Sequence, residues 1–143
     1  MHARLLDGTA IGLAIRAEVR PAVEAFTAKA GRPPGLGIVL VGNDGGSELY
    51  VASKLKSAAE SGLRADLERL PATASLGELL AVVDRLNRSE VHDGILVQSP
   101  LPKQINEELI FQTVSPAKAG KHIIIEKPIT LSHADAKAAA AAE

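Results

Sequence analysis

The sequence contains no cysteine and very few aromatic residues, and each shortage narrows what the chain can be. Without cysteine it can form no disulfide, no thiolate nucleophile and no cysteine-ligated zinc site. Aromatic residues make up only 2% of the chain, so its core must be built from Leu, Ile, Val and Ala. The hydrophobic fraction of 46% is sufficient for such a core.

An excess of charge of one sign is also missing. The formal net charge is −1, which argues against electrostatic capture of nucleic acid or of an acidic membrane surface. No apolar run approaches the roughly 20 residues of a membrane span, and the N-terminus lacks the long apolar core of a signal peptide. A cytoplasmic protein that binds neither nucleic acid nor membranes is therefore expected, and a homodimer is left open.

The histidines do not form a metal site in the sequence. Their positions show none of the short spacings typical of metal ligands, so structural or surface roles are favoured and no metal is predicted. The four residues are His2, His92, His122 and His133.

Apolar runs alternate with helical spacings along the chain, which indicates an α/β fold. Strands are predicted over 36–41, 64–70, 93–98 and 121–126, and helices over 9–30, 47–61, from 75, from 106 and from 132. This alternation predicts parallel strands joined by right-handed crossovers. We expect one domain over residues 1–143, a three-layer α/β/α sandwich with four strands in the order 2-1-3-4, similar to a flavodoxin-like or Rossmann-like half.

The ends of the predicted helices carry capping signals. Thr9 and Ser47 are predicted to cap the first two helices, and Pro21 is expected to kink or restart the first. Two capping boxes, Ser75 with Glu78 and Ser132 with Asp135, are predicted to open later helices. The first helix is expected to bury one apolar face, which consists of Ile11, Ile15, Val19, Val23 and Phe26.

Three polar side chains are predicted to meet at one edge of the sheet. Tyr50 and Lys54 are four residues apart and so share one helix face, while Gln98 ends the third strand, where ligands bind in open parallel sheets. An amine beside a phenol and an amide could polarise a substrate oxygen or move a proton. From spacing alone, however, an exposed lysine and a half-buried tyrosine on an ordinary helix are the favoured interpretation, because Y-x-x-x-K is a short motif.

Several blocks in order nevertheless carry a family resemblance. They include Leu5-Leu6-Asp7-Gly8, Ser47-x-x-Tyr50-Val51-x-x-Lys54, and the run from Asp93 to Pro102 (DGILVQSPLP). Together they resemble the N-terminal domain of bifunctional methylenetetrahydrofolate dehydrogenase/cyclohydrolase, over roughly residues 1–118.

This resemblance implies a catalytic site. The lysine matching Lys54 is the key catalytic group, particularly for opening the methenyl ring of the folate. The tyrosine matching Tyr50 lies against the folate, and the glutamine matching Gln98 holds the lysine. Substrate binding by Tyr50 and by the loop Pro100-Leu101-Pro102 is implied as well.

The chain departs from the family pattern at three places. Gly45-Gly46 stands where the family usually has Pro-Ala, and Ser99 stands where it usually has Leu. After Pro116-Ala117-Lys118 the chain continues Ala119-Gly120-Lys121, so the two aspartates of the family's P-x-K-D-V-D-G block are absent. The second of these normally anchors the pterin ring, so altered folate recognition is expected.

A second resemblance begins at the same point. The run Ala119 to Pro128 (AGKHIIIEKP) resembles the glucose–fructose oxidoreductase and inositol dehydrogenase group, in which the lysine matching Lys127 lies near nicotinamide and substrate. We predict an engineered or recombined chimera, in which residues 119–143 form a grafted βα unit that covers the third strand and is structural.

The predicted chimera lacks intact catalytic function. NADP serves the parent family but binds in a second domain, and these residues contain no G-x-G-x-x-G after a strand, so no cofactor is expected to bind. The alternative is residual folate binding or weak methenyltetrahydrofolate cyclohydrolase activity through Lys54. A flavodoxin-like nucleotide-binding module is a third possibility that rests on fold analogy alone.

Overall fold

The computed structural model describes residues 7–113 and 122–123, and these form alternating helices and strands. In chain order the elements are α1 (Gly8–Ala30), β1 (Gly35–Val41), α2 (Gly45–Glu60), β2 (Arg64–Leu70), α3 (Leu76–Arg88), β3 (Gly94–Val97), α4 (Glu107–Thr113) and β4 (His122–Ile123).

All four strands are parallel, in the order β2-β1-β3-β4. β1 lies in the middle and pairs with β2 along its whole length, from Gly35 opposite Arg64 to Val41 opposite Leu70. The two-residue β4 pairs with the start of β3, with His122 opposite Gly94. The predicted strand order is therefore confirmed. The remainder of the fourth predicted strand and the helix predicted from Ser132 lie outside the described residues.

Helices cover both faces of the sheet because the side chains of each central strand alternate between them. Val39 and Val41 face the side covered by α3 and α4, whereas Ile38 and Leu40 face the side covered by α2. Helix α3 contributes the buried residues Leu79, Val83 and Leu86 to the first side, α4 contributes Ile110, and α2 contributes Val51 to the second. This arrangement confirms the predicted three layers.

Two of the predicted helix caps are wrong. Asp7 caps α1 by accepting hydrogen bonds from the backbone N–H groups of Thr9 and Ala10. Asp44 caps α2 in the same way, with Ser47 as its donor. In both helices an aspartate precedes the hydroxyl residue by two or three positions, and its ionised side chain is the stronger acceptor for free N–H groups.

The capping box at the start of α3 is confirmed. The Glu78 N–H donates to Ser75 Oγ at 3.2 Å, and the Ser75 N–H donates to Glu78 Oε2 at 2.7 Å. Two of the free N–H groups at this helix end are thereby satisfied reciprocally. This cap fixes where α3 begins and therefore where its apolar face meets the sheet.

Helix α1 differs from the sequence-based expectation. It continues from Gly8 to Ala30 through Pro21 and is not restarted there. Of its predicted apolar face only Val23 is buried among the described residues, whereas Ile11 and Ile15 remain about half exposed, at 50% and 54%. Helical periodicity identifies the apolar face of this helix, but does not identify what covers it.

The amino ends of β1 and β3 are tied together by Asp93. Its carboxylate accepts hydrogen bonds from both terminal nitrogens of Arg32, at 2.7 and 2.9 Å, and from the backbone N–H of Gly35 at 2.8 Å. The Asp93 N–H in turn donates to the Gly35 carbonyl at 2.7 Å. Asp93 was predicted to begin the third strand, but it precedes β3 and anchors its start. This contact aligns β3 so that its far end, with Gln98, reaches the candidate site.

Candidate active site

The predicted site residues lie at the carboxyl ends of the central strands. Gln98 directly follows β3, and its backbone N–H still donates to the Val39 carbonyl of β1 at 2.9 Å. Helix α2 starts at the same edge, so Tyr50 and Lys54 occupy its first turns. Ligands of open parallel sheets bind at this edge because loops and helix starts meet there.

Lys54 and Gln98 are in direct contact. Lys54 Nζ donates to Gln98 Oε1 at 3.1 Å, and Gln98 Nε2 donates to the Ser99 carbonyl at 2.6 Å. Gln98 is only 5% exposed, so both ends of its amide are committed inside the protein. Its oxygen therefore holds the lysine nitrogen at a defined position, although the two residues are 44 positions apart in the chain.

Tyr50 forms the solvent-exposed side of this site. Its ring centroid is 5.4 Å from Lys54 Nζ, a distance at which a cation interacts with an aromatic face. Tyr50 is 62% exposed, whereas Lys54 is half-buried. The ordinary-helix interpretation requires an exposed lysine and a half-buried tyrosine, and the structure has the reverse.

The start of α2 is held by two acidic residues. Asp44 accepts the Ser47 N–H at 2.9 Å and the Ser47 hydroxyl at 3.0 Å, and these two bonds, in that order, lower the pKa of Asp44 below its usual range. Glu48 forms a two-pronged ion pair with Arg69 near the end of β2, and this hydrogen bonding lowers the pKa of Glu48. Both contacts fix the helix turn that precedes Tyr50.

The loop after Gln98 carries the remaining predicted site residues. Pro100 is exposed, while Leu101 and Pro102 are half-buried, and Leu101 packs against the core under α3 and α4. The hydroxyl of Ser99, where the family usually has Leu, is buried and has no hydrogen-bond partner among the described residues. The structure therefore brings Tyr50, Lys54, Gln98 and this loop to one edge of the sheet.

Two residues that support this loop were missed by sequence reasoning. Glu107 Oε1 accepts the Leu101 N–H at 2.7 Å, and Gln104 Nε2 donates to the carbonyls of Ala72 and Ala74 at 2.6 and 3.2 Å. The sequence holds one usable signal, since Pro100 and Pro102 leave Leu101 as the single N–H donor among three residues. Which acceptor it meets depends on tertiary structure.

Among the described residues, His92 lies away from this site. Within residues 7–113 and 122–123, no group of three or more His, Asp or Glu side chains could hold a metal ion. His92 is buried and bridges Ser89 Oγ, at 2.8 Å, and Asp66 Oδ2, at 3.0 Å, a structural role. Lys127 lies outside the described residues. No helix of the described part is long and apolar enough to cross a membrane.

Comparison with known proteins identifies the family. The sequence profile of the catalytic domain of tetrahydrofolate dehydrogenase/cyclohydrolase matches residues 6–119. The chain belongs to this family. Among curated relatives, the bifunctional protein FolD 3 of Rhizorhabdus wittichii is 49% identical over 124 residues, which cover 85% of this chain and 41% of that protein. The FolD of Sorangium cellulosum is 46% identical over 118 residues, 82% of this chain and 41% of that protein.

Solved structures of the family have the same fold. The bifunctional FolD of Campylobacter jejuni superposes with a TM-score of 0.76 at 35% identity, covering 80% of this chain and 40% of that one. The Trypanosoma brucei enzyme, solved with NADP cofactor and an inhibitor, has a TM-score of 0.75 at 35% identity and covers 80% of this chain and 39% of that one.

The chain thus spans about two fifths of the length of the relatives it matches. The profile match ends at residue 119. The second resemblance, predicted for residues 119–143, and the division of the chain at that point therefore remain predictions.

Proposed function

We propose that this chain carries a folate site in which Lys54 promotes the opening of the methenyl ring, the reaction of a methenyltetrahydrofolate cyclohydrolase. The observation that carries the proposal is the 3.1 Å hydrogen bond from Lys54 to the buried Gln98 amide. It fixes an amine at the ligand-binding edge of a fold shared with the FolD enzymes. A half-buried lysine held by a buried amide at this edge is suited to proton transfer with a bound ligand.

The reaction requires one addition and one bond cleavage. Water adds to the methenyl carbon, which is electrophilic because it shares a positive charge with its two nitrogens, and the water loses a proton. One of the two carbon–nitrogen bonds then breaks as the added hydroxyl group loses its remaining proton and becomes the formyl carbonyl. The departing nitrogen keeps the electron pair of the broken bond and takes up a proton. The balance leaves a formyl group on the other nitrogen and releases one proton to solvent.

Lys54 is proposed to move these protons. A neutral amine within hydrogen-bond reach of the attacking water can accept its proton and return it to the departing nitrogen, a role typically worth about 10²–10⁴ in rate. Gln98 contributes by holding the lysine nitrogen, because its other amide end is bonded to Ser99 and cannot turn away without breaking that bond. Lys54 is thus proposed as the catalytic residue and Gln98 as the residue that orients it.

Tyr50 and the loop after β3 are proposed to bind the folate. The exposed ring of Tyr50 offers an aromatic face on which the flat pterin can stack, beside the lysine nitrogen. Pro100, Leu101 and Pro102 line the same edge, and two of them are half-buried and therefore held in place. These roles are the ones that the family resemblance implies for the matching residues.

The competing proposal is a recombined chimera without intact catalysis. It is favoured by Ala119-Gly120-Lys121, which lacks the family's pterin-anchoring aspartate. In that case the Lys54–Gln98 contact is a structural remnant. The cyclohydrolase proposal does not extend to hydride transfer with NADP, since the loop Gly42 to Gly46 has the wrong spacing for a dinucleotide-binding turn.

Separate calorimetric titrations with a folate analogue and with NADP distinguish these proposals. We expect saturable binding of the folate analogue, weakened by Tyr50→Ala, and no binding of NADP. Leu49→Ala is the matched control, because Leu49 is the neighbouring residue on α2 and is 75% exposed. Absence of folate binding would favour the chimera, and equal effects of the two substitutions would remove Tyr50 from the site.

A further inference from the structure

We propose that Glu107 is a positioning residue of the folate site, which acts by holding the loop between Gln98 and α4. The proposal rests on the proposed function, since it concerns the same site. Glu107 itself stands in the first turn of α4 and contacts the loop through its side chain.

The loop has an unusual shortage of backbone donors. Pro100 and Pro102 have no N–H, so among these three residues only Leu101 can donate a backbone hydrogen bond. This N–H donates to Glu107 Oε1 at 2.7 Å. A carboxylate acceptor makes this bond stronger than one between neutral groups.

Glu107 can hold the loop because its own backbone is anchored. Ile105, two residues before it, is 4% exposed, and Ile110, three residues after it, is fully buried. Both side chains belong to the core formed with α3. The Ile105 N–H also donates to the Pro102 carbonyl at 2.9 Å, which closes a turn directly after the loop. The carboxylate is therefore presented to Leu101 from a rigid support.

The loop connects this support to the proposed catalytic lysine. Residue 99 accepts the Gln98 side-chain N–H through its carbonyl at 2.6 Å, and the other end of the Gln98 amide holds Lys54. Release of Leu101 would loosen the substrate-binding loop first and the Gln98 amide second. We therefore expect folate binding to be weakened more than the chemical step is slowed.

Three variants of the full chain test this proposal. Glu107→Ala removes the acceptor, Glu107→Gln retains a carbonyl oxygen at its place, and Glu108→Ala is the control, because Glu108 is exposed and lies in the same helix turn. Loss of a hydrogen bond to a charged group corresponds to roughly a tenfold to hundredfold change in an equilibrium constant. We expect KM for the methenyl substrate to rise about tenfold in Glu107→Ala, with kcat reduced less than about threefold.

The conservative variant and the amide exchange of Leu101 complete the test. Glu107→Gln should recover most of the lost affinity, Glu108→Ala should match the unmodified chain, and the Leu101 N–H should exchange faster only in Glu107→Ala. Faster exchange with unchanged KM would show a merely structural contact and overturn the proposal, as would unchanged exchange. An unmodified chain without folate binding or turnover would instead refute the proposed function, a distinct result.

Discussion

The contact between Lys54 and Gln98 can be tested by stability alone, independently of any activity. In Lys54→Met the Gln98 oxygen loses its donor while Gln98 remains 5% exposed, so a buried acceptor is left without a partner. Such a loss costs about 1–3 kcal/mol. For a domain of this size that lowers Tm by roughly 3–10 °C. The fold itself should persist, because Met and Lys have similar helix propensities.

A double-mutant cycle isolates the pair. Gln98→Leu removes the acceptor and also frees the Ser99 carbonyl, but that second effect is the same in the double variant and cancels in the cycle. Replacing both partners by apolar groups of similar shape is nearly neutral. We therefore expect Lys54→Met/Gln98→Leu to be more stable than the sum of the single effects, by about 1–2 kcal/mol.

Urea unfolding followed by far-ultraviolet circular dichroism measures these free energies. Lys56→Met provides the control on the same helix, because its side chain is 79% exposed and its substitution should change stability by less than about 0.5 kcal/mol. Single effects that add to within about 0.5 kcal/mol would refute the reasoning, because they would show that the two side chains do not interact.

Three further predictions concern other parts of the chain. Gly35→Ala should destabilise the protein by about 3 kcal/mol or more, because the added carbon would lie 1.8 Å from the Val91 carbonyl oxygen. Gly12→Ala has no neighbour closer than 3.8 Å and should instead stabilise α1 by about 0.5–1 kcal/mol. Shifts of Tm in the same direction for the two variants would contradict this. Ser99→Ala should raise the free energy of unfolding by about 1 kcal/mol, because it removes a buried hydroxyl without a partner among the described residues; a lower urea midpoint would show that the hydroxyl is bonded. The hydrogen bonds from Ser47 lower the pKa of Asp44 in the folded state, so the stability that Asp44 contributes is complete above about pH 4 and is lost as the pH falls further. The urea midpoint should therefore fall in acid, and it should fall less in Asp44→Asn. An equal decrease in both proteins would exclude Asp44 as a cause.

The strands could be predicted from the sequence because their signals are local. The second strand was predicted within residues 64–70 and spans Arg64–Leu70, and the Ser75–Glu78 capping box marks the start of α3. The order 2-1-3-4 is one that right-handed crossovers between parallel strands permit, although they do not select it alone. Local patterns placed the first three strands because clear turn residues bound them.

The errors arise where two local candidates compete or where distant residues decide. Asp7 and Asp44 replace Thr9 and Ser47 as caps, because neighbouring aspartate and hydroxyl side chains can both reach the same free N–H groups. The exposure of Ile11 could not be predicted, since periodicity does not show what packs on a helix. The acceptor for Leu101 likewise depends on how α4 folds back over the core.

The positions of the site residues could be predicted from the sequence, but their roles could not. Spacing and strand ends placed Tyr50, Lys54 and Gln98 at one edge, and the 3.1 Å contact between Lys54 and Gln98 is present as the family resemblance implied. Their catalytic roles stay predictions, because geometry shows that the groups meet and not that they react.

The most direct test of the account is the rate at which the full chain opens methenyltetrahydrofolate, followed by the loss of the near-ultraviolet absorbance of its conjugated ring. We expect the unmodified chain and Lys56→Met to react faster than buffer alone. Lys54→Met should be slower than the unmodified chain by about 10²-fold or more, or should react only at the uncatalysed rate. A folded Lys54→Met variant that retains the full rate, or an unmodified chain no faster than buffer, would contradict the central claim.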